Sequence, residues 1–207
     1  MADGQKVAKS TQPKSALRKK GLLRVESILT AGATIFVDKG FDAATMTEIA
    51  ELAGASIGSV YQFFPTKDSI ADVLRARYGD DICARWDALR LSNQGWTGED
   101  LAQCVFRITA ETLKDNPSFS PLMVVRNRPG SNVAKVRRRY ADALIRLLQS
   151  RMPALSAAEL RAAMMVVHQI VRSEVDLGMD ANSKLARSDM QGILATYLKL
   201  KMNQPSG

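Results

Sequence analysis

Apolar positions along this chain of 207 residues recur at three- and four-residue steps, the signature of helices with one buried face. Val25, Ile28, Leu29, Gly32, Ile35 and Phe36 form one stripe, which predicts a helix running from Leu22 to Lys39–Gly40. Gly40 suits the left-handed position just past a helix end, and Phe41 can fold back as the accompanying apolar contact. The run Thr45-Met46-Thr47-Glu48 reads as a capping box, with Thr45 as N-cap and Glu48 at N3. It opens a short second helix whose apolar face is Met46, Ile49, Ala50 and Ala53, and which stops at Gly54. Ser56 can cap a third helix carrying Ile57, Val60, Tyr61 and Phe64.

Beyond Lys67 the pattern stays helical. It predicts a long helix from Asp68 to about Leu91, a break at SNQGWTG, and a helix from Asp100 to Lys114 with Leu101, Cys104, Val105 and Ile108 on one face. Glu111 and Thr112 continue that face and turn it polar. DNPSFSP breaks the chain before a short helix from Phe119 to Arg126, and NRPG breaks it again. A helix from Ser131 to Ser150 follows, then RMPALS, then two final helices from Ala157 to Leu177 and from Ser183 to Met202. No strand-like alternation occurs, so the fold class is all-α.

The stretch GASIG, residues 54–58, fits the pattern G-x-S-x-G of a nucleophile elbow, which requires a β-strand leading into the serine. Here TEIAELAG leads in, a capped helix, and the chain's single histidine, His168, lies far along the sequence in a helical stretch. A serine hydrolase using Ser56 is therefore a distant alternative. No Walker loop, dinucleotide fingerprint or metal-ligand cluster is present either, and the expectation is a protein that is not an enzyme and needs no cofactor. Two short helices joined by a tight glycine-containing turn are instead a helix-turn-helix, whose second helix can enter the DNA major groove. Ser56, Gly58 and Ser59 are small enough for close approach, and Tyr61, Gln62 and Lys67 can bond phosphates or bases. An ordinary α-hairpin in a bundle fits the same pattern.

A basic arm, the small-residue start of the third helix and Lys67 together favour the first reading. Of the net +8, residues 1–24 supply +6, from Lys6, Lys9, Lys14, Arg18, Lys19, Lys20 and Arg24 against Asp3. Such an arm either meets a polyanion or is a solvated tail. No apolar run approaches the ~18 residues of a membrane span, and no apolar segment follows the N-terminal charges as a secretory signal requires. Cys83 and Cys104 fit no zinc spacing and read as reduced core residues of a cytosolic protein.

Residues Val25 to Leu74, with AGATIFVDKGFD followed by AATMTEIAELAGASIGSVYQFFPTKDSI, strongly resemble the N-terminal domain of TetR-family transcriptional repressors. The matching features are the glycine-aromatic end of the first helix, Thr45, Ile49-Ala50, Ala53-Gly54, Ser56, Gly58, Val60-Tyr61, Phe64 and Lys67. The resemblance implies that Thr45 places its helix N-terminus at a phosphate and that Ile57, Gly58 and Ser59 face base edges. It further implies that Tyr61 and Gln62 lie along the sugar-phosphate backbone, that Lys67 pairs with a phosphate, that Thr66 caps the fourth helix, and that Val60 and Phe64 are core. Ile57 stands where the family often has a polar residue, and could meet a thymine methyl. Phe63 stands where histidine or tyrosine is common; it can pack under a deoxyribose but cannot donate a hydrogen bond.

The organisation that follows is a basic flexible arm (1–21), a three-helix helix-turn-helix DNA-binding domain (22–66) and a helical effector-binding and dimerisation domain (67–207). The family implies a homodimer joined through the last two helices, whose apolar faces carry Leu160, Met164, Val167, Val171 and Val175, and Leu185, Ile193, Leu194, Tyr197 and Leu198. Its partners are a palindromic double-stranded DNA operator and a partly apolar small-molecule effector, with no membrane; it is cytoplasmic, and nucleoid-associated when bound to DNA. Effector binding would move the helix starting near Lys67 and alter the spacing of the two recognition helices. Candidate effector contacts are Trp86, Ile108, Glu111, Phe119, Met123, Tyr140, Met165 and His168, each of which also fits ordinary core packing. A ligand-independent DNA-binding protein or an activator of the same fold is the alternative. The basic run Lys135-Arg137-Arg138-Arg139 wraps its helix and reads as solvated surface.

Overall fold

The computed structural model describes residues 14–92, 95–124, 132–177 and 181–204, and among them contains helices and turns but no strand. The helices are α1 (Lys14–Ala43), α2 (Met46–Leu52), α3 (Ile57–Phe63), α4 (Lys67–Leu91), α5 (Gly98–Asp115), α6 (Phe119–Val124), α7 (Val133–Arg151), α8 (Ala157–Asp176) and α9 (Ala181–Met202). They form two compact units, residues up to Ile70 and residues from Ala71 onward, divided within α4 rather than at the expected 66/67 boundary.

In the first unit the predicted stripes close on one another. Ile28, Leu29 and Phe36 of α1, Ile49 and Ala50 of α2, Val60 of α3, and Phe64 and Ile70 are all buried. Gly32 is part of that fit: a Cβ there would lie 2.7 Å from the Ile70 Cγ2 methyl. Helical geometry breaks at Gly40, where φ is 77°, a value that favours glycine, and the chain then turns so that the Phe41 ring packs tilted against Phe36 at 5.3 Å between ring centroids.

The N-terminus of α1 differs from expectation. The helix begins at Lys14, so residues 14–21, placed above in a flexible arm, are helical; residues 1–13 of that arm lie outside the described residues. The physical reason is propensity. Lys14, Ala16, Leu17, Arg18, Lys19 and Lys20 are good helix formers that extend an existing helix without a new nucleus, whereas a charge run by itself suggests a tail.

The α2 cap forms as a reciprocal pair. Glu48 N donates to Thr45 Oγ1 at 3.3 Å, while the Glu48 carboxylate accepts from Thr45 N at 3.0 Å and Thr45 Oγ1 at 2.8 Å. Lys39 makes a short ion pair with the same carboxylate. These bonds, that from Lys39 foremost, lower the Glu48 pKa to about 2.

In the second unit Trp86, Leu101, Val105, Leu144, Leu147, Leu148, Val167, Leu194 and Leu198 are fully excluded from solvent in one cluster. The helix expected from Asp100 starts at Gly98, because Thr97 and Asp100 form a second capping box. α5 packs most extensively on α9, and Gly98 permits the closest approach: a Cβ there would sit 2.4 Å from Lys199 N and 2.9 Å from Ala195 O. The Arg75 guanidinium is buried, with Nε donating to Leu122 O at 3.1 Å and Nη1 to Asp72 Oδ1 at 2.8 Å; Asp72 Oδ1 also accepts from Asn132 N at 3.2 Å. That network ties α4 to α6 and to the start of α7. Cys104 is buried, Cys83 half-buried, and both are free.

Two outcomes test this packing. Gly98→Ala should lower the stability of the second unit by about 3 kcal/mol, because backbone atoms cannot move aside as a flexible side chain can. Gly95→Ala, where an added Cβ meets nothing within 4 Å, should leave Tm unchanged in the same thermal melt. A depressed carboxylate pKa contributes stability above its unfolded value and loses it as pH falls through the folded value. Acid denaturation should therefore show the wild-type losing stability relative to Glu48→Gln between pH 4.5 and about 2, and running parallel to it above that window.

Candidate nucleic-acid interface and ligand cavity

The turn before α3 is a Schellman motif. The amide of Ala55 bonds Ala50 O at 3.0 Å and that of Gly54 bonds Glu51 O at 3.1 Å, with Gly54 at φ 59°. The turn satisfies the last carbonyls of α2 and delivers Ser56 as N-cap of α3, where its Oγ accepts from Ser59 N at 3.2 Å. A helix and a left-handed turn therefore lead into Ser56, and no strand does. Its oxygen is engaged as a cap, which removes the local basis for a nucleophile elbow.

α3 has two faces. Val60 and the following Phe64 are buried in the first unit. Ile57, Tyr61 and Phe63 are 39%, 49% and 41% exposed, and Ser56, Gly58 and Gln62 are exposed beside them; Ser59 is half-buried. An isoleucine, a tyrosine and a phenylalanine held outward on a two-turn helix, with a glycine between them, form a surface that can approach base edges closely and contact thymine methyls.

One phosphate contact implied by the resemblance, that of Lys67, is already satisfied within the protein. The Lys67 ammonium donates to Phe41 O at 2.9 Å, Asp42 O at 2.7 Å and Ala44 O at 2.9 Å, and lies 4.9 Å from the Phe41 ring centroid. An ammonium has three protons, so none is left for a phosphate. The Thr45 hydroxyl both donates to and accepts from Glu48, which sets a carboxylate at the α2 N-terminus. Thr66 does cap α4, its Oγ1 accepting from Ser69 N at 3.1 Å.

The excess of positive charge lies elsewhere. Residues 25–70 carry only Lys39 and Lys67 against Glu26, Asp38, Asp42, Glu48, Glu51 and Asp68, a net −4, so within the first unit attraction to a polyanion comes from the +6 of residues 1–24. Arg18, Lys19 and Lys20 are exposed on the first turns of α1. Arg24, which sequence reasoning counted only as charge, donates from Nη1 to Gly54 O at 3.0 Å and so sets this basic end of α1 beside the turn that starts α3. A hydrogen bond spanning 30 residues leaves no periodic signal in the sequence.

The second unit contains a cavity of about 350 Å³. Its lining comes from Gly79 and Ile82 of α4, Thr109 of α5, Phe119, Ser120 and Met123 of α6, Val136, Arg137, Tyr140 and Ala141 of α7, and Met164, Met165, His168, Gln169, Val171 and Arg172 of α8. Five of the eight proposed effector contacts are among these, namely Phe119, Met123, Tyr140, Met165 and His168. The other three lie outside it. Trp86 and Ile108 are buried in the core cluster, and Glu111 pairs with Arg85 and Arg107 at 3.3 and 3.2 Å. Core packing and ion pairing account for these three, because helical spacing alone does not separate a cavity wall from a core. Sequence reasoning missed Arg137, Gln169 and Arg172, although positions 165, 168, 169 and 172 share the three- and four-residue spacing that marks one face of α8.

Inside the cavity Tyr140 meets the edge of His168 at 5.3 Å and that of Trp86 at 6.3 Å. Burial pushes the Tyr140 phenol well above its ordinary value. Burial, then the charges of Arg172 and Arg137, hold His168 below the usual imidazole range, so its ring is neutral at pH 7. Among the described residues no group of three or more His, Cys, Asp or Glu is placed to hold a metal ion, and no helix is long and apolar enough to cross a membrane.

Residues 28–74 match the sequence profile of the tetR family of bacterial regulatory proteins. Over 63 residues the chain is 33% identical to the HTH-type transcriptional repressor KstR2 of Rhodococcus jostii, a match covering 30% of this chain and 31% of that repressor. The fold is similar to that of the TetR family regulator PfmR from Thermus thermophilus, with TM-score 0.63 and 18% identity over 81% of this chain and 93% of that one. It is also similar to that of FadR from Bacillus subtilis in complex with stearoyl-CoA, with TM-score 0.63 and 14% identity over 86% and 97% of the two chains. Residues 28–74 are thus similar to the amino-terminal module of the tetR family of bacterial regulatory proteins, and the match to KstR2 spans about a third of that repressor's length.

Proposed function

We propose that this protein is a cytoplasmic, ligand-responsive transcriptional repressor that binds a near-palindromic operator as a homodimer. The observation that carries this reading is α3. Its inner face, Val60 with Phe64, is locked in the core, while Ile57, Gly58, Tyr61, Gln62 and Phe63 are turned outward behind a rigid Schellman turn. In this reading α3 contacts bases, Ser56 adds a hydroxyl donor at its start, and the basic residues of α1 supply the sequence-independent phosphate attraction.

The dimer rests on exposed apolar residues. Met165 and Val166 of α8 and Leu185, Ile193 and Leu200 of α9 are solvent-exposed, on helices whose other faces fill the core. Large apolar side chains exposed on two helices suit a second copy of the same surface, and a two-fold dimer matches two half-sites one helical turn apart, about 34–36 Å. The cavity supplies the effector site. A ligand there changes operator affinity only as far as it binds one arrangement of the helix starting at Lys67 better than the other.

Selection of random duplex DNA by the purified protein, followed by sequencing, should recover a palindrome with half-sites one turn apart; sequence-independent recovery would defeat the assignment to α3. On that operator Arg18, Lys19 and Lys20 changed together to Gln should flatten the salt dependence by ~0.9 in log K per log salt for each phosphate no longer neutralised, with base preference unchanged. Leu185→Asp with Ile193→Asp should give a folded monomer by analytical ultracentrifugation and weaken operator binding at least about tenfold; a persistent dimer would place the interface elsewhere.

A further inference from the structure

Among the described residues lining the cavity are Arg137 and Arg172 and no aspartate or glutamate. On α4, beside the lining residues Gly79 and Ile82, Asp80 pairs with Arg139 and Asp81 with Arg85. Arg137 gives one donor, Nη2, to Met123 O at 3.0 Å, which fixes the side chain over α6 and leaves the rest of its guanidinium donors open. The His168 ring and the Tyr140 hydroxyl also line this space without a hydrogen-bond partner among the described residues. The remaining wall is largely apolar, from Phe119, Met123, Val136 and Met164 among others. Polar donors are thus gathered on one turn of α7 and on α8, and among the described residues no carboxylate pairs with either arginine.

We infer that the cavity takes an amphipathic anion, an apolar body bearing one carboxylate, sulfonate or phosphate group that lies between Arg137 and Arg172. This rests on reading the cavity as the effector site and adds the chemical class of the effector. A carboxylate or phosphate oxygen is the acceptor that guanidinium forks and a phenol can share, and the neutral His168 can donate one bond more. The apolar body displaces water from the Phe119, Met123 and Met164 wall, and the methionines adapt to its shape. A cationic amphiphile of the same body would face two guanidiniums. A neutral one would leave them no better neutralised than water does.

The test uses the full-length protein and three probes of one chain length: decanoate, 1-decanol and decyltrimethylammonium, all below micelle-forming concentrations, with affinity read by isothermal titration. Decanoate should bind at least about tenfold tighter than decanol, and the ammonium weakest. Arg137→Gln with Arg172→Gln, at two exposed positions, should reduce decanoate to the affinity of decanol and leave decanol unchanged. Ala141→Trp, or Gln169→Trp if the first does not fold by circular dichroism, should abolish binding of all three by filling the cavity. Decanol or the ammonium binding as tightly as decanoate, or the double variant keeping its preference for decanoate, overturns the anion inference while leaving the cavity a ligand site. No binding of any probe, or binding that survives the filled cavity, overturns the cavity itself; recovery of an operator by selection is independent of all these results.

Discussion

The end of α1 carries carbonyl groups that no continuing helix can satisfy, and the Lys67 ammonium bonds two of them, Phe41 O and Asp42 O, together with Ala44 O just beyond. Each bond is charge-assisted, and a cation at a helix C-terminus also meets the negative end of its dipole. The consequence is positional. Lys67 is the first residue of α4, so fixing it to Phe41, Asp42 and Ala44 fixes where α4 starts relative to the end of α1, with α2 and α3 folded between them. Arg24 makes the complementary bond at the other side of the loop, from α1 to Gly54 O. Two cations bonded to backbone carbonyls thus hold the helix-turn-helix rigid. The surface that α3 presents outward is then set by packing, without help from a ligand.

That use of charge separates two roles that a sequence merges. Lys67 and Arg24 both count as positive charge, yet they are internal tethers. Arg18, Lys19 and Lys20 precede them on α1 and are turned to solvent. Residues 25–70 are net negative, so a DNA-binding reading of this unit relies on the basic end of α1 for attraction and on α3 for discrimination. The two functions sit on different helices of one packed unit, and the Arg24 bond to Gly54 O links the basic end of α1 to the turn before α3.

Local chemistry was legible in the sequence. The Thr45–Glu48 box, the positive φ at Gly40 and Gly54, Ser56 as a cap, and the burial of Val60 and Phe64 each depend on residues within about one turn, where side-chain type and spacing carry the physics. The helices of the second unit were found by periodicity to within a few residues, and the Thr97–Asp100 box that moves one boundary was itself written in the sequence. What was not legible depends on residues far apart in the chain. Nothing near Gly98 announces that the backbone of Lys199 will lie against it, and nothing near Lys67 announces the carbonyl of Phe41. Trp86 and Phe119 are both aromatic at helical spacing; only the packed structure puts the first in the core and the second on a cavity wall.

The cavity exists because neighbouring helices are held apart at one level and together at another. At Gly79 α4 comes so close to α7 that a Cβ would sit 2.8 Å from Val136 Cγ1, while Arg75 ties α4 to α6 through Leu122 O and, through Asp72, to Asn132. Those contacts pin the α4 wall and leave the space between α6, α7 and α8 unfilled. Phe119, Ser120 and Met123, which border that space, flank the Leu122 carbonyl on the same short helix. A molecule entering the cavity therefore presses on the element that Arg75 holds. Giving up Leu122 O costs the buried guanidinium a charge-assisted hydrogen bond, about 1.5–3 kcal/mol. An arrangement of that kind resists small displacements and yields only by exchanging one set of partners for another, which is the property a two-state response requires.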